Sequence, residues 1–290
     1  MAVAPSGPTP DSLCELRDRL EKHYGQEGAP LNGWTLAEKV SAIGFETADK
    51  ALKEEAVRLA ARAVLRRACR MVGPLRLTKR KRTDMLREPF RGELDVGRTL
   101  DNMIGREPQD PRDWVMVSRE EHERSVCLMM DVSLSMSGRN LALAALACAV
   151  LALKIPPGDL ALVAFDSVAR EVVPLGEAVP PEEVVRRILR LPARGYTNLH
   201  DALRLGWKAL RGVQGGRRVG ILVTDGVATV GEDPLALAAP FPVLHVLMTE
   251  DGKTNEPLCR KMARRGRGHL LRIQNFDEMP GCMLELAHRL

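Results

Sequence analysis

Continuous apolar runs constrain this chain more than any other feature. Val126-Cys-Leu-Met-Met130, Leu160-Ala-Leu-Val-Ala-Phe165, Val219-Gly-Ile-Leu-Val-Thr224 and Val243-Leu-His-Val-Leu-Met248 carry almost no polar side chain. A short apolar run without alternation describes a strand covered on both faces, as in parallel sheets. Stretches of helical length lie among them, at 141–153, 181–191, 199–211 and 256–265. Residues 170–174 read as a short edge strand, 269–273 as a further strand, and a helix closes the chain after Asn275. Strands alternating with helices imply βαβ units. The expected fold is therefore α/β: a doubly wound, Rossmann-like, mostly parallel sheet with helices on both faces.

The first third reads as helical. Thr9-Pro10 sets a hydroxyl before a proline, and Leu13, Leu16 and Leu20 then line one face as far as Gly25. Thr35-Leu-Ala-Glu38 has the pattern of a capping box opening a short helix. From about Ala48 to Val72, Leu52, Ala56, Leu59, Ala60, Ala63, Val64 and Met71 form an apolar stripe, and Gly73-Pro74 ends it. Residues 75–91 are basic and lack a clean period, and a Pro-, Asp- and Arg-rich run follows at 107–114. These read as a connection, which divides the chain into a helical region with basic linker at 1–118 and an α/β domain at 119–290.

Composition removes several classes of function. Of the 290 residues, 45% are hydrophobic and only 3% aromatic, so the core is aliphatic. A formal net charge of +5 is too small to argue for nucleic acid, and the basic run Lys79–Arg82 lacks interleaved aromatics. The six cysteines are widely spaced and most lie within apolar stretches, which fits small hydrophobes better than disulfides or zinc ligands. The histidines show no ligand spacing. The first residues lack the basic start and apolar run of a signal peptide, and the longest uncharged apolar stretch, 141–153, is too short to span a bilayer. The expectation is a cytoplasmic chain with no membrane segment.

In doubly wound sheets, ligands sit beyond the carboxyl ends of the strands. Two of the apolar runs end in an aspartate, Asp131 and Asp225. Asp131-Val-Ser-Leu-Ser135 can point a carboxylate and two hydroxyls the same way, and Thr197 lies in a loop before a helix. Two carboxylates with three hydroxyls form an all-oxygen set, which selects a hard cation such as Mg²⁺. Mn²⁺ has overlapping preferences. Ser133 and Ser135 could instead cap a helix, as could Thr197 with Asn198, and Asp166-Ser167 reads as an ordinary turn.

Asp131-x-Ser133-x-Ser135, then Thr197, then Asp225-Gly226 closing an apolar strand, resembles the von Willebrand factor A domain and its metal-ion-dependent adhesion site. The resemblance covers about Arg119 to Leu290. It implies Ser133 and Ser135 as direct ligands, Thr197 as direct or water-bridged, and Asp131 and Asp225 mainly through water. It also implies a non-enzymatic role, in which the metal grips a carboxylate of a partner protein. The helical region, the basic segment, Arg91-Gly-Glu-Leu-Asp95 and Thr99-Leu100 resemble bacterial cytosolic A-domain proteins that work with MoxR-type AAA+ ATPases. That likeness implies an ATPase partner and a client to be remodelled or loaded with metal. The competing reading is a Mg²⁺-dependent phosphohydrolase with Asp131 as nucleophile. Such enzymes place a second acid where this chain has Ser133.

Overall fold

The computed structural model describes residues 18–22, 24, 32–42, 50–72, 79–84, 93–94, 96–97, 115–120, 124–213, 216–249, 253–273 and 278–289. They fall into two compact units, one within residues 1–74 and 124–290 and the other within 75–123. The smaller unit holds a three-stranded antiparallel sheet of β1 (Lys79–Asp84), β2 (Glu93–Leu94) and β3 (Val115–Glu120), in the order β1-β3-β2. Part of the stretch expected to be a plain connection is thus strand. Its first strand, Lys-Arg-Lys-Arg-Thr-Asp, carries no apolar residue by which a strand could be recognised.

The larger unit begins with helices α1 (Gly33–Ala42) and α2 (Lys50–Val72). Residues 18–22 and 24 are also helical; the rest of the helix expected over 9–25, Thr9-Pro10 included, lies outside the described residues. The expected capping box sits three residues earlier than the sequence pattern placed it. Asn32 Oδ1 accepts from the Trp34 and Thr35 amides at 2.9 Å each, and Thr35 Oγ1 accepts from the Asn32 amide at 3.0 Å. Glu38 instead takes the Trp34 indole N–H at 2.6 Å.

The sheet follows: β4 (Arg124–Asp131), α3 (Arg139–Lys154), β5 (Leu160–Phe165), β6 (Ala169–Val173), α4 (Pro181–Leu189), α5 (Leu199–Arg211), β7 (Arg217–Thr224), α6 (Leu235–Ala238), β8 (Val243–Thr249), α7 (Glu256–Arg265), β9 (Arg267–Ile273) and α8 (Met279–Arg289). Strand order is β6-β5-β4-β7-β8-β9, all parallel except the edge strand β6. The chain moves from β4 outward to β5 and β6, then crosses back to place β7 on the other side of β4. The strand order therefore reverses between β4 and β7, where a crevice opens at the carboxyl ends.

Each strand supplies two cores. On one face Val126, Leu128 and Met130 of β4, with Leu162, Ile221 and Val223, pack against α1, α2, α3, α4 and α8. On the other, Cys127, Met129, Val163, Phe165 and Leu222 pack against α5, α6 and α7. Helix α3 has no solvent face along most of its length, being buried from Asn140 through Ala152. A helix apolar all round needs cover on every side. The sheet lies beneath it, and α2 lies over it with Ala56, Val57, Ala60, Ala61, Val64 and Ala68 fully buried. Glu54 of α2 also meets Arg190 at 2.7 Å, and Glu182 of α4 lies 3.7 Å from Arg62.

At the opposite end of the sheet from the crevice, His245 of β8 is 2% exposed. Its Nδ1 accepts the His269 amide at 3.2 Å, the two rings stack at 5.7 Å, and its Nε2 has no partner among the described residues. Burial, chiefly, holds its pKa down to about 4; His269, Arg289 and Arg217 push the same way and Glu285 opposes them. The unfolded chain takes up this proton near pH 6.5, whereas the folded chain resists it until about pH 4. Acidification through that window therefore withdraws stability, on the order of 2–3 kcal/mol. Urea unfolding at pH 7 and pH 4.5 should show this loss in the wild type. His245→Asn keeps an acceptor for the His269 amide and should lose less by a comparable amount; equal pH sensitivity of the two would contradict the assignment.

Candidate metal centre

The crevice is built where β4 and β7 end. Asp131, the last residue of β4, is fully buried. One carboxylate oxygen accepts the Ser133 amide at 2.9 Å and the other accepts the Thr224 hydroxyl at 2.6 Å. Thr224 in turn accepts the Gly226 amide at 3.0 Å, so the last side chains of the two strands are tied across the switch point. Burial, above all, raises the Asp131 pKa to about 6; hydrogen bonds from Ser133 and Thr224 oppose this, and the Asp225 charge adds to it.

The segment after β4 turns through a single 3-10 turn, Leu134–Met136, before α3. Ser133 stands at its N-terminal boundary, yet its side chain caps nothing, and the N-cap of α3 is Gly138. The capping role that the sequence also allowed for the serines is not realised at either helix start. Instead Ser133 Oγ lies 3.1 Å from Ser135 Oγ, the first nearly buried and the second exposed. Asn140, 2% exposed, donates to the Ser135 carbonyl at 3.2 Å and fixes the far end of the turn.

Thr197 arrives from the loop between α4 and α5. The cap of α5 is Asn198, which accepts the Asp201 amide at 3.0 Å, leaving Thr197 without that duty. The Thr197 amide donates to Thr229 Oγ1 at 2.8 Å, and its carbonyl accepts the Thr229 and Val230 amides at 3.0 and 3.3 Å. Its own hydroxyl makes no hydrogen bond among the described residues, although the residue is 3% exposed. Gly195, two residues before, has φ +78°, and a Cβ there would lie 2.9 Å from Ser167 Oγ, so this loop passes where only glycine fits.

Asp225, 2% exposed, uses one carboxylate oxygen to accept the Val227 amide at 2.9 Å. The other accepts no hydrogen bond among the described residues. Gly226 follows with φ +80°, and a Cβ there would strike Cys259 Sγ at 2.4 Å. The Cys259 thiol is thereby packed under the loop, and burial, with Asp225 next, pushes its pKa up to about 12. Asp166 and Ser167 act as turn residues: Asp166 accepts the Val168 amide at 3.1 Å and pairs with Arg170 at 2.5 Å.

These loops gather Asp131, Ser133, Ser135, Thr197 and Asp225 at one end of the sheet. The donor set is oxygen only, and among the described residues no group of three or more His, Cys, Asp or Glu could hold a metal. Among the described residues, the Thr197 hydroxyl and one Asp225 oxygen have no hydrogen-bond partner, and the two serine hydroxyls lie against each other beside the Asp131 carboxylate. Those features fit a hard divalent cation. Sequence reasoning did not single out Thr224, Thr229 or Asn140, which hold the site together. Asn140 had a legible signal, as a polar side chain directly before a long apolar helical run.

Fold and loop cluster are those of an α/β, Rossmann-like domain with a mostly parallel six-stranded sheet, preceded by helices. Residues 126–227 match the family model described as the von Willebrand factor type A domain. Domains of this class are typically protein-binding modules without catalysis. No curated protein matches the chain. Among solved structures, proximal thread matrix protein 1 from the mussel byssus, with a zinc-occupied MIDAS motif, aligns at 17% identity and TM-score 0.50, covering 57% of this chain and 45% of that one. A von Willebrand factor type A protein from Catenulispora acidiphila aligns at 19% identity and TM-score 0.49, covering 60% and 44%. An aerotolerance-related membrane protein from Bacteroides fragilis aligns at 17% identity and TM-score 0.46, covering 57% and 99%. In the present chain, no helix among the described residues is long and apolar enough to cross a membrane.

Proposed function

We propose that this chain is a metal-dependent protein-binding module. Ser133, Ser135 and Thr197 would hold a divalent cation of the Mg²⁺ or Mn²⁺ type directly, with Asp131 and Asp225 acting through water. The observation that carries this reading is a set of oxygens at the end of the sheet around a buried carboxylate: two serine hydroxyls 3.1 Å apart, with a Thr197 hydroxyl and an Asp225 oxygen that have no partner among the described residues. Three neutral ligands leave the ion's charge largely uncancelled. When bound, the ion supplies a Lewis-acidic open position, and a carboxylate from a partner protein is its natural occupant. The protein holds the donors in place through the Asp131–Thr224 and Thr197–Thr229 hydrogen bonds, so little ordering remains to be done on binding.

The finer reading is an adaptor for a MoxR-type AAA+ ATPase in the cytoplasm, serving protein remodelling or metal insertion. Its support is the sequence resemblance of the N-terminal region. The metal reading is tested by calorimetric titration of Mg²⁺ and Mn²⁺ into chelator-stripped protein, wild type beside Ser135→Ala. The wild type should bind one ion, and the variant should bind about tenfold more weakly. Equal affinities, or no binding by the wild type, would overturn it.

A further inference from the structure

Among the described residues, five large apolar side chains are exposed, and four of them lie on or beside the loops of the candidate metal centre. Leu134, Val168, Tyr196 and Val230 are 66%, 62%, 64% and 36% exposed. They sit on four different loops, which hydrogen bonds bind into one surface. The Leu134 amide reaches the Gly195 carbonyl at 3.5 Å, and the Arg194 amide donates to the Val132 carbonyl at 3.0 Å. The Tyr196 amide donates to Ser167 Oγ at 3.1 Å and the Asn198 side chain to the Ser167 carbonyl at 3.2 Å, bringing the loop of Val168 alongside. On the other flank the Val230 amide donates to the Thr197 carbonyl. Ser133, Ser135 and Thr197 belong to these same tied loops.

Scattered exposed apolar residues need no explanation, but a cluster confined to the rim of one site does. The backbones of these loops are tied, so the side chains are held out in water by a fixed frame. Charge on the same surface points to the kind of partner. Arg194 is exposed and has no ion-pair partner among the described residues, whereas Asp166 is paired with Arg170 at 2.5 Å.

We propose that Leu134, Val168, Tyr196 and Val230 form an apolar collar that selects a protein segment whose acidic residue is flanked by apolar side chains. The carboxylate goes to the ion at the centre, its neighbours cover the collar, and Arg194 favours a further acid beside it. This rests on the metal reading above and adds what the ion cannot supply, namely discrimination among carboxylates. Water excluded by the collar also strengthens the central ionic contact.

The test is an array of synthetic peptides, each with one central Glu or Asp flanked by Leu and Phe or by Ser and Gly. It is probed with the full chain in Mg²⁺ and in EDTA. Apolar-flanked peptides should bind at least tenfold better than polar-flanked ones in Mg²⁺, and none should bind in EDTA. Leu134→Ser/Tyr196→Ser alters only exposed positions; it should keep the wild-type Mg²⁺ titration and circular dichroism while erasing the preference. Mg²⁺-dependent binding indifferent to the flanks would overturn the collar and leave the metal reading standing. Failure of Mg²⁺ to promote capture of any peptide would overturn both.

Discussion

Asp131→Asn is expected to weaken divalent-cation binding about 100-fold and to raise the melting temperature of the metal-free protein. The two effects have one cause. The carboxylate is fully buried, and burial together with the Asp225 charge lifts its pKa from 3.8 to about 6. At neutral pH it is ionised nonetheless, at a cost to the fold on the order of 2–3 kcal/mol when no cation is present. Asparagine has the same shape and an oxygen for the Ser133 amide, but carries no charge. A gain of about 1 kcal/mol would show as a shift of roughly 2–4 °C in a domain of this size. Calorimetry in EDTA and titration with Mg²⁺ measure the two halves separately. A variant that melts lower than wild type in EDTA would mean that the carboxylate serves the fold rather than an ion.

Val64→Asp should cost roughly 3–5 kcal/mol of stability, although it lies outside residues 126–227 that match the family model. Val64 is fully buried in the layer that α2 places over α3. An aspartate there would carry an unpaired charge into an aliphatic core or lift the helix away. Lifting α2 would expose the buried row of α3, so the loss should reach the whole unit. Urea denaturation should show a large drop in midpoint. Arg66→Ala, on the exposed side of the same helix, should change stability by no more than about 0.5 kcal/mol. A Val64→Asp protein as stable as the Arg66 variant would show that α2 is an accessory, not part of the core.

Most of the parallel sheet was legible because a strand buried on both faces leaves an unbroken apolar run. Val126–Met130 and Leu160–Phe165 became strands with all residues buried. The placement of the candidate site was legible for a related reason: Asp131 and Asp225 end such runs, and strand ends at a switch point face the crevice. What the sequence hid was polar and local. Lys79–Asp84 contains no apolar residue, so its place in an antiparallel sheet had no signature. The capping pattern at Thr35–Glu38 was matched to the wrong partner, since Asn32 lies one residue outside the helix and Thr35 serves it from within. Thr229 was silent because its role depends on a fold that brings it to Thr197 from 32 residues away.

The encased helix α3 also sets an order of events in time. Its cover, α2, leaves the ribosome well before α3 does, and the strands that form its floor are made on both sides of it. During synthesis α2 therefore presents a finished apolar stripe with nothing yet beneath it. Helix α3 follows with no polar face by which to remain in water. The core beneath them is not complete until Ile221 and Val223 of β7 have been made. For that interval nascent chains are exposed to one another. The folding of this protein is thus expected to depend on the pace of elongation and on chaperone occupancy.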